Sequence, residues 1–324
     1  MTAEEFSALY LIATTGLNDT GWHWFSYHFY VGPTPFARSI LSSCASIDRR
    51  GTGIGTDLLR ELVAIGGRER DERQYEQLLQ KLSEILVIER VVNCPWPAET
   101  TFQHEPAAVP GGPRPELLVS YPEGRLVVEV KTPALLEHIR ARATNGIQLA
   151  YRGGVPLELA EQLGEDAVTL PRDNPVLDFL RDGERKFVGF RQDPGTASLL
   201  VIVWDDFIYE PISALVNERS GLLTRNSFVR APDGTPQTYP NVDAVIAIRH
   251  LNYLIAGSRE ENLGDRLTAM DFGDGCALPN VLFDVEGARP IPTFVLDALR
   301  AFRHDDPGLR MFAEYNPQDM VFWL

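Results

Sequence analysis

Residues 113–133 have the sequence PRPELLVSYPEGRLVVEVKTP, a pattern that predicts a β-hairpin. Residues 117–120 form a short apolar strand, and a turn with proline and glycine follows at residues 121–124. Residues 125–131 form a second strand that is rich in β-branched side chains.

The hairpin predicts that two carboxylates and a lysine lie close together. Side chains alternate along a strand, so Glu129 and Lys131 share one face. With a four-residue loop, Ser120 pairs with Arg125. The same register places Glu116 opposite Glu129, roughly 5 Å away at Cβ.

Two close carboxylates repel each other, and burying either of them unpaired costs several kcal/mol. A divalent cation offsets both terms, because Mg²⁺ favours one or two carboxylates together with water. A lysine beside that cation could orient or deprotonate a water, or steady developing charge. The alternative is a solvated hairpin in which Glu129 and Lys131 are merely exposed. The chain has lysine only at Lys81, Lys131 and Lys186, which favours a specific role for Lys131.

Residues 71–88 predict an amphipathic helix with Glu76 at the edge of its apolar stripe. At that edge, a polar side chain can extend past the buried face. Glu72 and Glu84 are the alternatives for the same role. The members of the stripe are Tyr75, Leu78, Leu79, Leu82, Ile85 and Leu86.

These motifs together resemble those of the PD-(D/E)xK nuclease superfamily. Its acid and Glu-x-Lys elements correspond to Pro115-Glu116 and Glu129-Val130-Lys131. The stretch Tyr75-Glu76-x-Leu78-Leu79-x-x-Leu82 is similar to the first-helix motif of Mrr-like members, in which the glutamate joins or orients the metal site. One departure is that the first acid is Glu116 where the family usually has Asp.

The resemblance implies a catalytic site of Glu76, Glu116, Glu129 and Lys131. Glu116 and Glu129 would hold Mg²⁺ or Mn²⁺, Lys131 would position the attacking water, and Glu76 would complete the site. A second helix is expected over residues 134–151. Its Gln148 and Tyr151 are similar to the Gln/Tyr motif of RecB-type nucleases, and Arg140 and Arg142 on the same helix would face phosphate.

The predicted fold class is α/β. It is a restriction-endonuclease-like mixed sheet flanked by helices, with a mainly helical N-terminal region. The domain prediction is a helical region at residues 1–68 and a nuclease-like domain at residues 69–324. Further strands are expected at 88–92, 101–104, 198–204, 242–248 and 281–285, and further helices near residue 211 and at 292–302.

Two clusters allow more than one interpretation. The pair Asp205-Asp206 is either a second acidic site or a strand-end turn. The aromatic residues between positions 22 and 30 either fill the core or stack on nucleic-acid bases. They are Trp22, Trp24, Phe25, Tyr27, Phe29 and Tyr30.

The amino-acid composition limits the kinds of binding partner that can be expected. The net charge of −15 argues against a broad nucleic-acid-binding surface, although the arginines between positions 49 and 73 make one segment locally basic. No apolar run is long enough to span a membrane, and neither the three cysteines nor the six histidines show metal-ligand spacing. A cytoplasmic protein without a membrane partner is expected.

The function expected from the resemblance is that of a Mg²⁺-dependent endonuclease, a hydrolase of phosphodiester bonds. Its substrate would be nucleic acid, with DNA preferred over RNA, in restriction or antiviral (antiphage) defence. The alternatives are an RNA-directed nuclease and a catalytically inactive nuclease fold kept as a binding or assembly module. A homo-oligomer or a complex with a partner protein is compatible with each of them.

Overall fold

A computed structural model describes residues 1–30, 32–144, 147–149, 162, 168–169, 174–276, 278–318 and 320–322. The helices are α1 (Ala3–Thr20), α2 (Ser26–Tyr30), α3 (Pro35–Asp48), α4 (Ile54–Ala64), α5 (Glu72–Val92), α6 (Leu136–Thr144), α7 (Asn174–Phe187), α8 (Tyr209–Val216), α9 (Leu251–Ser258), α10 (Thr293–Ala298) and α11 (Pro307–Arg310). The strands are β1 (Thr101–His104), β2 (Leu117–Tyr121), β3 (Gly124–Lys131), β4 (Ile147–Leu149), β5 (Val168–Thr169), β6 (Thr196–Trp204), β7 (Ala244–Arg249), β8 (Asn280–Asp284), β9 (Ala301–Arg303) and β10 (Met320–Phe322).

A mixed seven-stranded sheet forms the centre of the fold, in the order β1-β2-β3-β6-β7-β8-β9. Strands β1, β2 and β3 are antiparallel neighbours, and β3, β6 and β7 run parallel. Strand β8 is antiparallel to β7 and parallel to β9. Strand β6 is buried along its whole length, as its continuous apolar sequence predicts. The α/β class and the mixed sheet with helices are therefore confirmed.

The N-terminal helices α1 to α4 precede the sheet and pack with α5. Thr2 and Glu5 form a capping box at the start of α1. Helix α5 contacts α3 and α4 as well as strand β3. Its buried stripe joins the core of the sheet and the core of the N-terminal helices into one hydrophobic cluster.

Three predicted elements were wrong in type or extent. Residues 88–92 are not a strand, because α5 continues through them to Val92 and buries the same apolar stripe. Tertiary burial here outweighs the strand preference of β-branched residues. The helix expected over 134–151 ends at Thr144, before the sequence Asn-Gly, and Ile147–Leu149 is strand β4. The helix expected over 292–302 ends at Ala298 and strand β9 follows it.

The aromatic segment between positions 22 and 30 divides between core and surface. Phe25 and Phe29 are fully buried, whereas Trp22, Tyr27 and Tyr30 remain exposed. Among the described residues, no helix combines the length and the apolar composition needed to cross a bilayer.

Candidate active site

The hairpin register brings the two predicted carboxylates together. Ser120 pairs with Arg125, as predicted, and Leu117 pairs with Val128. The next position along the ladder therefore sets Glu116 against Glu129. Both carboxylates lie close to one ammonium group, that of Lys186. Its Nζ is 2.6 Å from Glu129 Oε1 and 3.8 Å from Glu116 Oε1.

Lys131 contacts the same carboxylate from its own strand. Its Nζ lies 2.7 Å from Glu129 Oε1 and 2.6 Å from Oδ2 of Asp182, which belongs to α7. Burial disfavours the Lys131 ammonium, but the charges of Glu129 and Asp182 outweigh burial and raise its pKa. Lys131 is therefore a fixed cation rather than a base.

Helix α7 supplies two residues that the sequence analysis did not place in the site. Asp182 and Lys186 are four residues apart, so they project from the same face of the helix. The signal was present in the sequence, because Lys186 is one of the few lysines of an arginine-rich chain. Its relation to Glu129 was not visible, because 57 positions separate the two residues.

Helix α5 contributes Glu84 rather than Glu76 to this group. Burial, followed by the charge of Glu84, raises the pKa of Glu116, and Glu84 forms an ion pair with Lys81. Glu76 lies two turns earlier, about 12 Å along the helix axis. Its Oε1 accepts a hydrogen bond from the backbone N–H of Leu136 at 3.2 Å, at the first residue of α6. Glu72, the other alternative, forms an ion pair with Arg140.

The residues form two groups of ion pairs, and the charge of Glu84 on Glu116 couples the two groups; together we call them the acid–lysine cluster. Its carboxylates come from α5, the hairpin and α7, and its ammonium groups are all the lysines of the chain. Lys81 extends the cluster by a 2.8 Å contact with Glu61 of α4. The members are Glu84, Glu116, Glu129, Asp182, Lys81, Lys131 and Lys186.

Glu116 is the electrostatically strained member of the acid–lysine cluster. Burial raises its pKa to about 8, and the nearby charges of Glu84 and Glu129 add to this effect. Lys186 and Lys81 oppose the shift without cancelling it. At neutral pH the carboxyl group of Glu116 is therefore largely protonated.

Glu129 retains an unused acceptor. Its side chain is fully buried, and Oε1 receives both lysines. In the part of the chain that the structure describes, Oε2 has no hydrogen-bond partner. A buried carboxylate oxygen without a partner costs free energy, and a cation could remove that cost.

A second group of possible metal ligands lies beside the cluster. One ligand atom from each of Glu61, His104 and Glu105 lies within 4.8 Å of the others. Burial lowers the pKa of His104 despite the neighbouring carboxylates, so its imidazole is neutral and able to bind a metal. An imidazole with two carboxylates suits a divalent cation. Spacing could not reveal this triad, because α4 and β1 are far apart in sequence.

The three residues that were predicted to contact nucleic acid do not have the same standing in the structure. Arg140 is exposed on α6 and forms an ion pair with Glu72. Gln148 lies on strand β4 rather than on a helix, and its side chain is not described. Tyr151 lies outside the described residues.

Arg142 does not face phosphate, contrary to the expectation from sequence. It is buried and forms ion pairs with Asp205 and Glu210. Asp206 accepts a hydrogen bond from Arg249 at 2.9 Å. The Asp205-Asp206 pair thus belongs to internal ion pairs after strand β6, which agrees with the structural interpretation of these acids.

Comparisons with known proteins identify no relative. No family model, no curated protein and no solved structure matches this chain.

Proposed function

We propose that this chain is a divalent-metal-dependent nuclease that hydrolyses phosphodiester bonds in DNA. The observation that carries the proposal is the meeting of Glu116, Glu129 and Lys131 at one end of the hairpin, with Glu129 Oε2 buried and unpartnered among the described residues. The preference for DNA over RNA rests on the resemblance to the PD-(D/E)xK superfamily.

Glu116 and Glu129 are the residues that would hold Mg²⁺ or Mn²⁺, with Glu84 as a third carboxylate nearby. The fit rests on the unused Glu129 oxygen and on the raised pKa of Glu116, because a cation lowers the cost of ionising both groups. When bound, such an ion would polarise a phosphoryl oxygen and increase the acidity of a coordinated water.

The lysines perform the remaining tasks in this proposal. Lys131 keeps its charge, so it orients the water or stabilises negative charge on the phosphate, and Asp182 fixes its position. Lys186 neutralises the charge of Glu129 when no metal ion is bound. Phosphoryl transfer requires little more than positioning and such charge stabilisation.

The proposal also includes a restriction-endonuclease-like fold and a biological role in defence. A restriction-endonuclease-like fold is supported by a helix, an antiparallel hairpin and a parallel crossover strand that together surround the acids. A role in restriction or antiviral defence follows from the resemblance alone, by analogy of fold.

The test is cleavage of plasmid and linear DNA with Mg²⁺ or Mn²⁺ by purified Glu129→Gln and Lys131→Met variants. Loss of a charge that stabilises the transition state costs about 10²- to 10³-fold in rate, so both variants are expected to lose at least that much. Glu123→Gln is the matched control, because Glu123 is exposed in the turn of the same hairpin. Undiminished cleavage by both folded variants would contradict the assignment.

One observation favours a second candidate, an inactive nuclease fold that serves as a binding or assembly module. Lys186 already lies between the two hairpin acids, so ammonium groups alone neutralise much of the acid–lysine cluster. Calorimetric titration with Mn²⁺ separates the candidates. Heat of binding that disappears in Glu129→Gln supports the nuclease. Absence of heat, together with no cleavage of DNA or RNA, supports the binding module.

A further inference from the structure

A cavity of about 240 Å³ lies at the N-terminal end of α5, away from the acid–lysine cluster. The segment before α5, the start of α6 and the end of α9 form its walls. Its volume is below the about 300–1,000 Å³ that is usual for drug-sized ligands, so it suits one planar ring system. We call it the arginine–aromatic pocket, lined by Trp24, Arg70, Tyr75, Arg140 and Arg259.

The pocket is positively charged in a strongly acidic chain. Three guanidinium groups line it, against the single carboxylate of Glu72, whereas the whole chain carries −15. Glu72 is engaged by Arg140. Arg259 is half exposed, and among the described residues the closest carboxylate oxygen, on Glu261, is 4.0 Å away. Within the described ranges, Arg70 forms no ion pair. A local excess of arginine of this kind attracts phosphate.

The aromatic wall of the pocket is held in place. The indole N–H of Trp24 donates a hydrogen bond to the backbone carbonyl of Asp71 at 2.9 Å. The ring of Tyr75 packs on it, with centroids 4.8 Å apart, and the guanidinium carbon of Arg70 lies 4.3 Å from the indole centroid. Bases stack on aromatic rings fixed in this way, and arginine adds a cation–π contribution.

Helix α5 connects the pocket to the acid–lysine cluster. Tyr75 lines the pocket and Glu84 belongs to the cluster, nine residues later. At a rise of 1.5 Å and 3.6 residues per turn, Tyr75 and Glu84 are about 14 Å apart along the helix axis and project from opposite sides of it. A stacked strand advances about 3.4 Å per nucleotide, so at least about four nucleotides are needed to reach from the pocket to the cluster around the helix.

We propose that the arginine–aromatic pocket binds an unpaired nucleotide of the DNA strand whose backbone reaches the acid–lysine cluster. The base stacks on Trp24 in the place that the Arg70 guanidinium covers in the free protein, and Arg70, Arg140 and Arg259 contact the phosphates. The base must be unpaired, because a concave pocket of this volume cannot admit a base pair. This inference rests on the proposed nuclease function, and it adds a preference for single-stranded or locally opened DNA.

The test is binding of a fluorescein-labelled single strand of about 12 nucleotides, a length within the footprint of a single-strand-binding domain. Fluorescence anisotropy is recorded in EDTA, so that metal-dependent cleavage does not interfere. Trp24→Ala should weaken binding roughly 5- to 150-fold, the range for loss of one base stack. Arg70→Gln should weaken binding and reduce the salt slope by about 0.7.

Arg60→Gln is the matched control, since Arg60 is also exposed and lies on α4 outside the pocket. It should leave the affinity within twofold of the wild type. Thermal melting by circular dichroism confirms that each variant folds. If Trp24→Ala does not fold, Arg70→Gln and Arg259→Gln decide the question, because neither side chain is buried.

Competition experiments distinguish single-stranded DNA from other ligands that also carry a base and a phosphate. Tighter binding of the single strand than of the matching duplex supports the inference. Three results overturn it: equal binding by duplex, displacement by deoxyadenosine monophosphate as efficient as by the strand, or tighter binding of the equivalent RNA. Unchanged affinity in every folded pocket variant also overturns it. A further result separates the two proposals. If the pocket variants weaken binding but no divalent metal supports DNA cleavage, the pocket binds the strand and the nuclease function is rejected.

Discussion

At the scale of single residues, the chemistry of this protein centres on Glu129. Its carboxylate is fully buried and holds two ammonium groups on one oxygen. Removing one partner of a buried ion pair is strongly destabilising, while a pair as a whole contributes little. The arrangement is therefore weak evidence for stability. In the proposed function, the same arrangement serves a site that exchanges an ammonium group for a metal cation.

Glu116 predicts a pH dependence of stability. Its pKa in the folded chain, about 8, is above the ordinary glutamate value of about 4.5, so the folded state binds the proton more tightly. This contribution to the unfolding free energy is complete below about pH 4.5 and is lost as the pH rises through about 8. At about 1.36 kcal/mol per pKa unit, the difference between pKa values of 4.5 and about 8 corresponds to on the order of 5 kcal/mol.

Urea denaturation of the wild type and of Glu116→Gln, in EDTA between about pH 5 and pH 8.5, measures this effect. The glutamine is neutral at every pH, so the wild type should lose stability relative to the variant as the pH rises. Added Mn²⁺ should reverse the loss in the wild type at high pH and not in the variant. A constant difference between the two proteins across the range would show that Glu116 does not titrate there.

At the scale of elements, α5 carries both Glu76, which the helix motif favours for the site, and Glu84, one of its alternatives. Glu84 extends into the acid–lysine cluster, while Glu76 accepts a hydrogen bond from the first backbone N–H of α6. Glu84→Gln should therefore lower the rate of metal-dependent cleavage at least tenfold. Glu76→Gln should leave the rate within a few-fold and cost about 1 kcal/mol of stability, the usual contribution of a helix cap.

Initial cleavage rates with Mn²⁺ and urea midpoints for the two variants provide the comparison. Both substitutions are nearly isosteric and lie on the same helix, so each serves as the control for the other. The reverse pattern, with catalysis lost only in Glu76→Gln, would restore the assignment that the helix motif implies.

The hairpin was predictable because its information is local. Alternation, β-branched residues and a proline–glycine turn determine the pairing of Ser120 with Arg125, and this pairing aligns Glu116 with Glu129. Helix α7 was not predictable as part of the site. Its relation to Glu129 depends on tertiary packing between distant segments, as does the approach of Glu61 to His104.

At the scale of the whole molecule, sequence patterns predicted the class of fold. Long apolar runs correctly predicted the strands β6 and β7, which lie inside the sheet. The domain boundary at residue 68 precedes the first motif of the family resemblance, and it stays a prediction. In the structure, buried residues on both sides of that boundary belong to one hydrophobic cluster, which α5 connects to strand β3.

This shared core predicts that the chain unfolds as a single unit. Helix α5 buries one side against α3 and α4 and another against β3, so neither part can lose its partner without exposing apolar surface. Calorimetry should give one transition with equal calorimetric and van't Hoff enthalpies.

Leu58→Ala on α4 removes a fully buried side chain and should cost about 2–5 kcal/mol. It should lower the midpoint of that single transition without dividing it. Mn²⁺, bound at the hairpin, should raise the same midpoint, including the part of the helical signal that comes from α1 to α4. Two separate transitions, of which only the second responds to Mn²⁺, would instead establish residues 1–68 as an independent domain.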